Sequence, residues 1–281
     1  MQKNTNNKLR KLPFSHGIGW LVQSLALLRL QSGRLLLIAL FMQVILGLTQ
    51  VPLIGFLIIV SVPALSAGIL EAFDVTRRGG YPGVNLLFKP ITSGTHTGRL
   101  FLMGALVFAV GILSMSLVLS GSKELLDPEL MSRIEQGDIE AVTQLNPEAI
   151  TRMALAFGIG VSVSGTLSYF TIPLIWFGGR KLGPALLEGL RALIVNWKPF
   201  LMLALGLFVL LIPVAMASGL LFSWAGTGGI LSVVILGCIM ILMLAFQMLL
   251  FGTQYCSFRD IFGMEDSPEP PDSEDDSQLV A

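Results

Sequence analysis

The longest uninterrupted apolar run constrains this chain most. From Leu35 to Phe73 it carries no charge until Glu71, while a helix crossing a bilayer needs only about 20 mostly apolar residues. In the middle of the run stands Thr49-Gln50-Val51-Pro52-Leu53-Ile54-Gly55. Proline ends a helix at or before the residue that precedes it, and Gly55 loosens the restart. The run therefore reads as two spans, 35–50 and 54–72, joined by a tight turn. Each is slightly short, so a shallow hairpin that does not fully cross is the rival reading.

Four further runs follow: Leu100 to Ser120, Met153 to Phe177 with Pro173 kinking its end, Phe200 to Phe222, and Ile230 to Phe251 or beyond. The composition matches: 53% hydrophobic, 13% charged, mean hydropathy +0.77, where soluble domains carry about 25% charged residues. The expected fold is all-α, a polytopic membrane helix bundle of about six transmembrane helices. With 18 Lys+Arg against 18 Asp+Glu, a globally basic nucleic-acid binder is excluded. Two cysteines cannot build a disulfide scaffold. Cys238 and Cys256 share one helix, ~27 Å apart at the helical rise, too far to bridge.

Orientation follows from the basic residues, which collect on the cytoplasmic side. With the N-terminus inside, the outer face holds only Lys123, Arg133 and Arg152, and the other fifteen of the eighteen lie within. Both termini are then cytoplasmic, the expected location is the bacterial inner membrane, and the first span is retained because no small-x-small cleavage site ends a short apolar core.

Between the spans, residues 14–32 place Ile18, Leu21, Val22, Leu25 and Leu28 at helical spacing, and residues 181–198 place Leu182, Leu186, Gly189, Leu193 and Trp197 likewise. Both are basic and abut a span, and Trp20 and Trp197 suit headgroup-level anchors, so two interfacial helices on the cytoplasmic surface are expected. The alternative is that each lengthens the span after it. Gly19 aligns with Gly183, bringing Arg34 onto Lys198 and Leu37 onto Leu201, and Gly68 with Gly252 brings Gly79 onto Gly263. This suggests a parallel repeat of the kind found in transporters, flanking spans 3 and 4.

Residues 121–152 read as a short helical periplasmic cap, with Asp127-Pro128-Glu129 and Asn146-Pro147-Glu148 each giving an N-cap, Pro at N1 and an acid in the first turn. Its seven acids match no EF-hand spacing. The domain reading is a basic cytoplasmic tail (1–13), a six-span membrane domain (14–263) and a disordered acidic cytoplasmic tail (264–281) with prolines 268, 270 and 271.

Chemistry is sparse. The mid-depth of every span lacks Asp, Glu, Lys, Arg and His, the residues that mark ion and proton pathways. Glu71 and Asp74, with Arg77 and Arg78 one turn on, read as local ion pairs. His16 and His96 have no cysteine or acid cluster beside them, and no nucleophile elbow, phosphate loop or His-Glu-x-x-His motif occurs. No catalytic residue, cofactor or metal is expected, and the chain reads as a non-enzyme.

Span 4 carries two ladders of small residues, Ala156-Gly160-Ser164-Ser168 and Ala154-Gly158-Ser162-Thr166. Small residues every fourth position let helix backbones approach closely, which makes span 4 the expected central, most buried helix. The rival is a polar path through Ser162, Ser164, Ser168, Tyr169 and Thr171. Arg77, Arg78, Arg180, Lys181, Arg191 and Lys198 are candidate contacts for anionic lipid.

Three segments then carry a resemblance: Pro63-Ala64-Leu65-Ser66-Ala67-Gly68 with Arg77-Arg78-Gly79 and Leu86-Leu87-Phe88; Leu182 to Arg191 leading to Asn196-Trp197-Lys198-Pro199-Phe200; and Tyr255 to Phe262. Over residues 15–263 their order resembles a family of uncharacterised proteobacterial polytopic inner-membrane proteins. More loosely, the layout is similar to the membrane domain found beside some glycerophosphodiester phosphodiesterases. No phosphodiesterase domain is present, so that activity is not implied. Two function classes remain. One is an accessory or scaffolding component that organises membrane lipids, or a membrane or cytoplasmic protein partner, at the cytoplasmic face. The other is a small transporter or channel for an uncharged or amphipathic, lipid-derived solute.

Overall fold

The structure, a computed structural model, describes residues 9–120, 129, 132–133, 146–225 and 229–263. Nine α-helices and no strand occur among them. They are α1 (His16–Leu30), α2 (Ser32–Gly47), α3 (Pro52–Arg77), α4 (Asn85–Thr92), α5 (Thr97–Leu119), α6 (Pro147–Trp176), α7 (Leu182–Val195), α8 (Trp197–Ala225) and α9 (Gly229–Phe262). Six of these, α2, α3, α5, α6, α8 and α9, are long and apolar enough to cross a membrane. The chain is a multi-pass membrane protein.

The Leu35–Phe73 run divides where the proline requires it. A 3-10 turn, Leu48–Gln50, is followed by extended Val51 and by Pro52 at the first turn of α3, where its missing N–H costs no bond. With that turn the first arm covers 19 residues, about 28 Å of helix against a hydrocarbon core of about 30 Å. Both arms are long enough to cross. Most of the 121–152 segment, Asp127-Pro128-Glu129 included, and the 264–281 tail lie outside the described residues. Asn146-Pro147-Glu148 is described, and it caps the span itself rather than a separate helix: Asn146 Oδ1 accepts from the Glu148 amide at 2.9 Å as α6 begins.

The architecture is a cyclic arrangement of three like units. Each runs short helix, span, span, and then a glycine in the left-handed region: α1-α2-α3 to Gly79 (φ 78°), α4-α5-α6 to Gly179 (φ 62°), α7-α8-α9 to Gly263 (φ 62°). A left-handed residue after the last turn caps a helix, and only glycine adopts it without a Cβ penalty. Each short helix packs on the second span of the unit before it, α4 on α3, α7 on α6 and α1 on α9, and the ring closes. The second spans α3, α6 and α9 touch one another at the centre. The repeat in the sequence thus extends further than expected: spans 3 and 4 are not flanked by it but form its middle unit, introduced by a short helix, α4, that the apolar periodicity did not reveal.

Two expectations need correction. Span 4 is not the most buried helix. The window of α3 is 56% buried and that of α6 28%, because α3 meets α2, α4, α5, α6 and α9 while one side of α6 stays open. The two short helices expected beside the spans are present: α1 and α7 are helices in their own right, broken from the spans after them at Gln31 and Asn196, and the alternative that each lengthens its span falls. The second correction is that Trp20 is not a headgroup-level anchor but belongs to the buried face of α1. That helix buries Gly17, Trp20, Ser24 and Leu28 against α8 and α9. Trp20 is 0% exposed and donates its indole N–H to Asp260 Oδ2 at 2.8 Å. A tryptophan whose N–H finds an acceptor within the protein has no need of the interface. Trp197, in contrast, is 58% exposed.

Candidate functional site

Two regions gather polar chemistry. The first is the end of the bundle where the three left-handed glycines lie. Asp74 of α3 accepts from the Tyr255 hydroxyl of α9 at 2.6 Å and pairs with Arg78 at 2.7 Å, and Arg77 Nε donates to the same hydroxyl at 2.9 Å. Glu71 departs from the local pairing expected of it. It takes Lys89 of α4 and the indole N–H of Trp176 (2.9 Å), joining three helices. Asn196, at the break between α7 and α8, binds the N-terminal strand of chain: its Oδ1 accepts from the Leu12 amide at 2.9 Å and its Nδ2 donates to Arg10 O at 3.1 Å.

The six candidate lipid-contact residues separate in this setting. Arg77 belongs to the interior network. Arg78 is exposed but paired with Asp74, and Arg180 faces Glu188 at 3.5 Å. Lys181 and Arg191 are exposed with no ion-pair partner among the described residues, and Lys198 stands exposed over the Trp197 ring at 6.0 Å.

The ladders of α6 separate too. Ala156 is buried, Gly160 sits against Gly111 and Met115, and Ser164 Oγ donates to Val107 O at 3.3 Å, all on α5. Gly158 and Ser162 face outward. Ser168 bonds Ser164 O at 2.7 Å, and Thr171 is buried beside Gly189 of α7. The hydroxyls expected as one polar path therefore point three ways and form no continuous track.

The second region is a cavity of about 340 Å³ between α6, α8 and α9, with Ser66 of α3 at its back. Ser168, Tyr169, Gln247 and Gln254 stand among leucines in its wall. It exists because one seam of the ring is open. Between units, the second span of one normally packs on the first span of the next: α3 on α5 and α9 on α2. The third pair, α6 and α8, lacks that extended contact. They meet through Phe200, whose ring lies 5.4 Å from Tyr169 and 5.6 Å from Phe170.

One hydrogen bond in this wall has a covalent origin. Pro173 has no N–H, so the carbonyl of Tyr169, four residues earlier, loses its helical partner. Gln254 Nε2 of α9 supplies the missing donor at 2.6 Å. Pro173 reads as a kink in the sequence; the signal passed over was the orphaned carbonyl it creates and the need for an amide within reach. Gln254 itself is 7% exposed, and its Oε1 has no hydrogen-bond partner among the described residues.

His16 lies 3.7 Å from Asp260 and His96 packs edge-on to Trp176, and no cluster of three His, Cys, Asp or Glu occurs among the described residues. Cys238 is exposed and Cys256 buried, both as thiols. No protein-family model matches the chain, and neither a curated protein nor a solved structure matches it.

Proposed function

We propose that this is a non-enzymatic protein of the bacterial inner membrane, with cytoplasmic termini, that acts as an accessory or scaffolding component by gathering anionic lipid at its basic end. The supporting observation is the imbalance of partners there. Glu71, Asp74 and Asp260 are engaged by Lys89, Arg78 and Trp20, whereas Lys181, Arg191 and Lys198 remain exposed. Basic side chains near an anionic bilayer surface contribute about 1 kcal/mol each. The excess of basic residues on one side supports the orientation, and the resemblance of residues 15–263 to a proteobacterial inner-membrane family agrees with that location.

The test is lipid retention. Full-length protein purified in mild detergent should carry anionic phospholipid detectable by native mass spectrometry, and replacing Lys181, Arg191 and Lys198 by Gln should lower the retained fraction at least tenfold. Unchanged retention rejects the reading; recovery of a stoichiometric protein in crosslinks from residues 181–198 replaces lipid by a protein partner. Reporter fusions at residues 90 and 181 test the orientation, and a periplasmic signal at either overturns it.

A second reading, a small carrier for an uncharged or amphipathic solute, draws on the cavity in the open seam. Solute flux into liposomes that Leu207→Trp abolishes would favour it.

A further inference from the structure

Three like units could close three like seams, and only two are closed. The α3–α5 seam is filled by Gly104 against the Val60 backbone and by Phe56 stacked edge-on to Phe108 at 5.6 Å. The α9–α2 seam is bridged by Gln43 donating to Gln247 at 2.7 Å. The α6–α8 seam instead keeps its cavity.

The cavity's wall has a definite chemistry. Leu203, Leu207, Leu250, Phe251 and Ile172 make it mainly apolar, and no Asp, Glu, Lys, Arg or His lines it. Its polar groups are uncharged hydroxyls and amides. Most are already committed: Ser168 to Ser164 O, Thr253 to Leu250 O, Gln254 Nε2 to Tyr169 O. What is left over is Gln254 Oε1, an acceptor on a residue more than nine-tenths buried, together with the Ser66 hydroxyl and the Gln247 amide N–H groups, for which no partner occurs among the described residues. Gln254 lines the cavity, so its acceptor can take a donor from a ligand there, where the hydrocarbon of a bilayer offers no water to supply one.

Position narrows the ligand further. Gln254 lies nine residues before Gly263, about 13 Å along the helix, so the acceptor sits below the charged end of the bundle. The Phe200, Tyr169 and Phe170 rings close the cavity toward that end. A phosphate in this cavity would meet no cation in its wall and would bear the cost of a charge in hydrocarbon. A hydroxyl would meet an acceptor. The volume is at the small end of ligand sites and suits part of one acyl chain.

We propose that the open α6–α8 seam is a binding site for a neutral, hydroxyl-bearing lipid of the diacylglycerol class, its hydroxyl donating to Gln254 Oε1 and one acyl chain lying along Leu203, Leu207 and Leu250. The site deepens the carrier reading by naming its ligand class but does not require movement of the ligand. Binding without flux rejects the carrier and keeps the site.

The experiment uses full-length protein in nanodiscs of zwitterionic phospholipid containing a photoactivatable diacylglycerol, with adducts mapped by mass spectrometry. Adducts should concentrate on residues 165–172, 203–207 and 247–254. Excess unlabelled diacylglycerol should remove them, and phosphatidylglycerol should not. Gln254→Leu should reduce labelling about tenfold, in line with loss of one buried hydrogen bond. Since that change also strips Tyr169 O of its donor, Leu207→Trp serves as a second variant that fills the cavity and leaves the bond intact, and it too should abolish labelling. Labelling spread evenly over the lipid-facing spans, or insensitive to Leu207→Trp, overturns the site. Equal competition by phosphatidylglycerol overturns the ligand class.

Discussion

The α3–α5 and α6–α8 seams are built from the same parts and end differently. Both join the second span of one unit to the first span of the next. In the closed seam, Gly104 lets α5 come against the backbone of α3 at Val60: a methyl there would stand 2.7 Å from the Val60 carbonyl carbon. In the open seam the glycine on α6, Gly165, meets nothing within 4 Å. A glycine in a membrane helix is thus no evidence of packing by itself. What decides is whether the opposing backbone is delivered to it, and Phe200 holds α8 away from α6 by occupying the space between them with a ring.

This contrast can be broken first at its tight side. Gly104→Leu should have the largest effect, because overpacking already costs about 1–3 kcal/mol where side chains can yield and here the neighbour is backbone. Loss of monodisperse protein on size-exclusion chromatography, or a large drop in melting temperature in detergent, is the expected outcome. A variant as stable as the parent would show that the seam is not close-packed.

Both seams rest on the central spans, so the next effect comes from their link. Asp74→Ala removes the acceptor shared by Tyr255, Arg78 and Arg77 and takes one ion-pair partner from the inward-facing Arg77. Breaking such a pair costs about 3 kcal/mol or more. Asp74→Asn, which keeps an acceptor for the Tyr255 hydroxyl, should recover part of the loss in the same unfolding assay.

A smaller effect should appear in the open seam. Gln254→Leu orphans Tyr169 O at a cost of about 1–2 kcal/mol. Pro173→Ala restores a helical N–H to that carbonyl, so the double variant Pro173→Ala/Gln254→Leu should be more stable than Gln254→Leu alone. A coupling energy near zero in this cycle would mean that the proline and the glutamine are unrelated, since contacting partners give about 0.5–3 kcal/mol.

The smallest effect sharpens the comparison most. Gly165→Leu, chemically the same change as Gly104→Leu, should alter stability by no more than about 0.5 kcal/mol, as expected where a side chain meets open space. Thermal unfolding of the two variants side by side would measure how far the seams differ.

The sequence by itself determined everything that depends on transfer between water and lipid. Runs of apolar residues long enough to cross place six spans, Pro52 divides the first pair, and Asn146-Pro147-Glu148 marks a helix start, although the structure shows that the helix is the span itself. These are local: burial of about 20 apolar residues or the loss of one N–H decides each without reference to the rest of the chain. The repeat was half visible, because Gly68, Gly79, Gly252 and Gly263 are identities, while the middle unit keeps only Gly179. Its short helix, α4, has eight residues, too few for a period to show.

Only the tertiary structure decided which face of each helix is inside. In lipid an outward leucine and an inward one have equally apolar surroundings, so hydropathy does not distinguish them, and small-residue spacing does so only in part. That is why the two ladders of α6 read alike in sequence although one packs on α5 and the other faces out. It is also why Trp20 read as an interfacial anchor until Asp260, 240 residues away, supplied its acceptor. Glu71 found Lys89 and Trp176 for the same reason. The open seam lay furthest from the sequence, since a cavity is a contact that does not form, and no residue in the chain records where a neighbour will be missing.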